Sequence, residues 1–116
     1  MRAITFILIG IVFAAAGQLL FKLGTNQIGD INSANLLRMI NPYIMLGMLF
    51  YGLGSVFWII ALSKADLSFV YPFTALTFIL VYFLSILVLN EAIRSNRLIG
   101  SVIIVLGICV MFLFEK

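Results

Sequence analysis

Charge is confined to the edges of four long apolar runs, and that pattern alone excludes most soluble architectures. Ala3 to Phe21, Met39 to Ser63, Leu67 to Asn90 and Leu98 to Phe114 are uncharged stretches of 19, 25, 24 and 17 residues. A helix rising about 1.5 Å per residue needs about 20 residues to cross roughly 30 Å of hydrocarbon. An all-α membrane protein of four transmembrane helices is therefore expected, with spans of about 3–22, 42–62, 67–89 and 98–115. With 65% hydrophobic and 9% charged residues and a mean hydropathy of +1.28, a soluble chain would aggregate. In 116 residues the runs leave only a tail and three connections, so one four-helix domain and no enzyme is expected.

No Asp, Glu or His lies deep in any run, so the acidic relay of many proton-coupled carriers is missing. The net charge of +3 comes from seven basic residues scattered over loops and helix ends. They form no continuous patch, which points to anionic membrane lipid and away from nucleic acid. Cys109, the single cysteine, lies inside the fourth run and reads as a packing residue; no disulfide, metal or cofactor site is expected. Arg2, the apolar run and Ala14-Ala15-Ala16-Gly17 imitate a secretory signal with a cleavage site. Leu19, Leu20 and Phe21 continue the run past that point, so retention as a true first span is expected.

Turn signals divide the spans. Leu23 to Asp30 carries two glycines and several polar residues, ending the first helix near Lys22. In the long connection that follows, Ser33 is expected to cap a short amphipathic turn bearing Leu36, Leu37 and Ile40, with Arg38 toward headgroups. Asn41-Pro42 restarts the chain, Pro42 standing in the first turn where its missing N–H costs nothing. Ser63 to Asp66 and Asn90 to Arg97 form short polar turns that make consecutive helices antiparallel. With a cytoplasmic amino end, Arg2, Lys64 and Lys116 oppose Lys22, Arg38, Arg94 and Arg97. A difference of one leaves either orientation, and insertion in both, compatible with the positive-inside rule.

Three faces stand out. On the first helix Gly10, Ala14, Gln18 and Lys22 form a stripe at four-residue spacing: two small residues for close packing, an amide needing a partner or a wet cavity, and a lysine that either snorkels or binds an anion. On the third, Ser68, Tyr71, Thr74, Phe78, Tyr82 and Ser85 make a polar seam interrupted by Pro72, which is expected to kink the span. That seam reads equally as a groove or as hydroxyls bonded to backbone carbonyls. Tyr51, Ser55 and Trp58 on the second helix are candidates for the same groove, Trp58 also fitting an interfacial anchor. On the fourth, Gly100 and Gly107 stand two turns apart beside Ser101 and suit a contact between subunits.

Asn41-Pro42-Tyr43-Ile44-Met45-Leu46-Gly47, Phe57-Trp58-Ile59-Ile60-Ala61-Leu62-Ser63 through Leu67-Ser68-Phe69-Val70-Tyr71-Pro72-Phe73, and Leu89-Asn90-Glu91-Ala92 with Leu98-Ile99-Gly100 to Leu106-Gly107 resemble the drug/metabolite transporter superfamily over nearly the whole chain. Two of its four-helix groups are comparable: the small multidrug resistance exporters, and the EamA-like subunits that flip aminoarabinose-linked undecaprenyl phosphate across the bacterial inner membrane. The exporters carry a membrane glutamate three residues before a glycine; here Gly17 and Lys22 fit that pattern and the glutamate position is Ala14. Gly17-Gln18-Leu19-Leu20-Phe21-Lys22 is more similar to the flippase type. The resemblance implies a homo- or heterodimer in the bacterial inner membrane that moves an anionic polyprenyl-phosphate glycolipid or similar amphipathic metabolite. Gln18, Lys22, Tyr51, Trp58, Tyr71, Thr74, Tyr82 and Glu91 are the candidate substrate-binding residues, and Gly100 and Gly107 the candidate dimer interface. An exporter of cationic drugs or metabolites, or a non-transporting partner subunit, are the alternatives.

Overall fold

Four helices form where the apolar runs predicted them in a computed structural model that describes residues 2–113. Helix α1 is Ala3–Ile28, α2 Pro42–Lys64, α3 Leu67–Leu87 and α4 Ser95–Leu113, each long and apolar enough to cross a bilayer. The chain is an all-helical, multi-pass membrane protein.

The helix ends differ from expectation in instructive ways. Helix α1 continues past Lys22 to Ile28, because packing outweighs the turn-forming sequence there. Gly24 is buried against α2, and a Cβ added to it would sit 2.5 Å from Ile44 Cγ1. Gly29 then stops the helix at φ 85°, a conformation side chains rarely adopt, and its N–H donates to the Thr25 carbonyl at 2.9 Å. The surface turn at Leu36–Met39 is 3₁₀ and is organised by Asn32 instead of Ser33. Asn32 Oδ1 accepts from the N–H groups of Ala34 and Asn35 at 2.9 and 3.2 Å, and Asn35 Oδ1 accepts from Asn32 N–H at 2.7 Å. Asn41 caps α2 by accepting from Ile44 N–H at 2.9 Å, with Pro42 in the first turn as expected. Helix α4 starts at Ser95, earlier than the expected 98, and its expected end at 115 lies outside the described residues.

Helices α1 and α2 lie antiparallel with their backbones close together. A Cβ on Gly17 would meet the Gly47 carbonyl oxygen at 2.8 Å, and one on Gly54 would meet that of Gly10 at 3.0 Å. The stripe that packs is thus Gly10, Gly17 and Gly24 against Gly47 and Gly54, a seven-residue repeat that the four-residue stripe caught only at Gly10. Beside the seam, Phe6, Phe57, Phe13 and Phe50 stack in succession with ring centroids 5.7–6.4 Å apart.

Helix α3 is anchored at its start. Val70 is fully buried with Ile7, Ile11 and Ala61, which fixes this end of α3 beside the amino end of α1 and the carboxyl end of α2. Directly afterwards Tyr71–Phe73 tightens into a 3₁₀ turn around Pro72, the distortion its missing N–H predicts. Helix α4 runs back antiparallel to α3, and its Phe112 ring meets Phe69 and Phe73 at 5.4 and 5.1 Å.

Candidate functional site

Beyond Val70, α3 stays against α1, while its packing against α2 is concentrated at the opening turn, Leu67–Val70. The result is a partly open cleft of about 480 Å³ with α1 as its floor and α2 and α3 as its walls. Such a volume falls in the range of about 300–1,000 Å³ typical of small-molecule sites.

The floor is Gly10, Ile11, Ala14 and Gln18. One wall is Tyr51, Gly54, Ser55 and Trp58; the other is Tyr71, Thr74, Thr77, Phe78 and Val81. Five of the expected site residues, Gln18, Tyr51, Trp58, Tyr71 and Thr74, therefore share one surface. They converge because the glycine seam turns the next residues of α1 and α2 toward the same side, and Tyr71 and Thr74 enter from the 3₁₀ turn around Pro72 and the residue after it. Trp58 also packs against the Val70 cluster, which holds it by apolar contact along one side.

The polar seam of α3 divides in two. Tyr71, Thr74 and Phe78 line the cleft, whereas Tyr82 is buried outside it and Ser85 donates to the Tyr82 carbonyl at 2.7 Å. Hydroxyls of both halves bond to backbone carbonyls, and the first half also lines the cleft. Thr74 Oγ1 itself donates to the Tyr71 carbonyl, and Ser55 Oγ to the Tyr51 carbonyl at 3.1 Å, so these hydroxyls offer the cleft mainly acceptor capacity. Among the described residues no side-chain hydrogen bond involves Gln18, Trp58 or Thr77 or the phenols of Tyr51 and Tyr71, which leaves them available to a guest. The buried phenol oxygen of Tyr82 has no partner among the described residues.

The remaining candidates lie elsewhere. Lys22 is exposed and borders a separate polar depression with Thr25, Asn26, Gly29, Asp30 and Ile31. It therefore stands apart from Gln18, although the two are one helical turn apart. Glu91 is exposed in the turn between α3 and α4, where its N–H donates to the Ser85 carbonyl at 3.2 Å. Gly100 and Gly107 face open space, with nothing within 4 Å of an added Cβ, while the neighbouring Ser101 is buried and donates to the Arg97 carbonyl at 2.8 Å. Thr77 went unrecognised in the sequence; its place three residues after Thr74 was the available signal.

Comparison with known proteins agrees with this architecture. The sequence matches the EamA-like transporter family over residues 1–113. It is 32% identical over 112 residues to the probable 4-amino-4-deoxy-L-arabinose-phosphoundecaprenol flippase subunit ArnF of Erwinia tasmaniensis, covering 89% of this chain and 88% of that protein. It is 31% identical over 74 residues to the probable flippase subunit ArnE for the same lipid in Pseudomonas paraeruginosa, covering 64% of each chain. No solved structure matches. Four apolar helices, three of which form the cleft, together with a family match running from the first residue to the end of α4, place the chain in the EamA-like transporter family.

Proposed function

We propose that this transporter moves a polyprenyl-phosphate-linked sugar across the bacterial inner membrane, the sugar crossing in the cleft while the tail remains in lipid. The observation that carries the reading is the cleft itself. Its wall residues combine aromatic faces with neutral hydrogen-bonding groups at the middle of three membrane-spanning helices, and the loose approach of α2 to α3 leaves it a side opening toward lipid. A head group that must leave water for part of its crossing needs substitutes for its hydration, and Gln18, Tyr51, Tyr71 and Thr77 supply them. The similarity to ArnF and ArnE supports the cargo class, since both are named as subunits that flip a sugar-bearing undecaprenyl phosphate.

The same names support action as a dimer, with a second copy or with a similar small protein. Gly100 and Gly107 on the uncovered face of α4 are the proposed contact. Lys22, beside Asp30 at the far end of α1, is the proposed resting place of the phosphate before entry. An exporter of cationic drugs is the competing reading, favoured by the aromatic lining alone.

Purified protein in liposomes, loaded with a polyprenyl phosphosugar and challenged with a membrane-impermeant oxidant of sugars, tests the proposal. Wild-type protein, alone or with its co-purifying partner, is expected to speed exposure of the inner-leaflet sugar at least tenfold over empty liposomes. Protein that leaves that rate unchanged while driving uptake of a quaternary ammonium dye would replace this reading with the exporter.

A further inference from the structure

We infer that the cleft is built for an uncharged, polyhydroxylated ring and selects against a cationic amino sugar. On the reading above that the cargo is a polyprenyl-phosphate-linked sugar, its head group then differs in charge from the amino sugar in the relatives' names.

Among the described residues, no Asp, Glu, Lys or Arg lines the cleft. The groups left open to a guest are the Gln18 amide, the Tyr51 and Tyr71 phenols, the Trp58 indole and the Thr77 hydroxyl. A sugar hydroxyl both donates and accepts, as amide, phenol and hydroxyl do, so it satisfies them and is satisfied by them. The flat C–H face of the ring can lie against the aromatic walls. An ammonium group can only donate, and so can the Trp58 indole N–H, which leaves those two groups opposed.

Charge sharpens the contrast. A primary ammonium is compact and strongly hydrated, and at this depth it loses that hydration with no carboxylate in the cleft to replace it. The opposing force is attraction of a cation to the faces of Trp58, Tyr51 and Tyr71. That attraction suits quaternary cations, whose charge is spread over methyl groups and demands no hydrogen-bond acceptors. It compensates a primary amine less completely, because the amine's charge is concentrated on N–H groups whose acceptors in the cleft are all neutral oxygens.

The test uses the full chain in mild detergent, at a pH where the amine is protonated, with two polyprenyl phosphates differing at one position, bearing arabinose or 4-amino-4-deoxy-arabinose. Native mass spectrometry of the two lipids in competition is expected to show the arabinose lipid preferred at least tenfold. Thr77→Asp places a carboxylate on the cleft wall with little change of size and should narrow or reverse that preference, whereas Thr77→Asn should preserve it. Should Thr77→Asp not fold, Ala14→Asp on the cleft floor makes the same change from another helix. Equal or stronger binding of the amino lipid by wild type overturns the inference and leaves the flippase reading standing. Binding of neither lipid overturns both, and a preference that neither Asp variant alters places the selectivity outside the cleft and overturns it too.

Discussion

The seam between α1 and α2 and the outer face of α4 both carry glycines at seven-residue spacing, yet one brings two backbones together and the other faces open space. The difference lies in the neighbour. Helix α2 answers Gly10 and Gly17 with Gly54 and Gly47 in matching antiparallel register, so two backbones can approach. Gly100 and Gly107 have no helix facing them: nothing lies within 4 Å of an added Cβ, and α4 meets α3 at other positions, Phe112 against Phe69 and Phe73 among them. A small-residue spacing therefore specifies close packing only when a facing helix offers small residues at the same heights. The comparison also divides the molecule mechanically: α1 and α2 form a fixed floor and wall, and α3 is a wall held firmly at one end.

The sharpest way to break this contrast is to fill the seam. Gly17→Leu drives a side chain into the Gly47 carbonyl and the Tyr51 backbone, atoms that cannot give way as a flexible side chain would, and overpacking of this kind costs about 1–3 kcal/mol or more. Denaturant titration of the helical circular dichroism signal in micelles should show that loss; an unchanged midpoint would mean that the seam is not closely packed. Val70→Ala removes two methyl groups from the fully buried anchor of α3 and should cost roughly 1–2 kcal/mol in the same titration, by analogy with other buried truncations. Asn41→Ala deletes the side-chain cap of α2 and should cost about 1 kcal/mol, with Asn41→Asp recovering most of it. Gly107→Leu is the smallest effect, expected within about 0.5 kcal/mol for the monomer because the added side chain meets nothing. Crosslinking of that variant in liposomes should nonetheless lose the dimer. Unchanged crosslinking would move the interface off this face.

What could be read from the sequence follows the same division. The spans, the Asn41-Pro42 start and the disturbance at Pro72 were legible because hydropathy, capping and a missing N–H are local properties. Five cleft residues were legible as well, since a polar group inside an apolar run stands out without knowledge of its neighbours. The end of α1 was not legible, because Gly24 ends a helix in isolation and extends one when Ile44 lies across it. Tyr82 was read onto the same stripe as Tyr71, but spacing along one helix does not show where the facing helix stops lining a cleft. Lys22 shows the reverse limit. It shares a helical stripe with Gln18 yet borders a different depression, formed by the loop after Gly29.

The central claim is that cargo passes through the cleft between α1, α2 and α3, and reversible blockage of that cleft tests it most directly. Cys109 is exposed, so it is first replaced by Ser, and Ser55→Cys then provides one thiol on the cleft wall. Attachment of a bulky methanethiosulfonate reagent at this position should stop movement of a polyprenyl phosphosugar in liposomes, and reduction of the mixed disulfide should restore it. The same label on Gly107→Cys, outside the cleft, supplies the comparison. Undiminished movement with Ser55→Cys fully labelled would show that the cargo takes another route and would contradict the account.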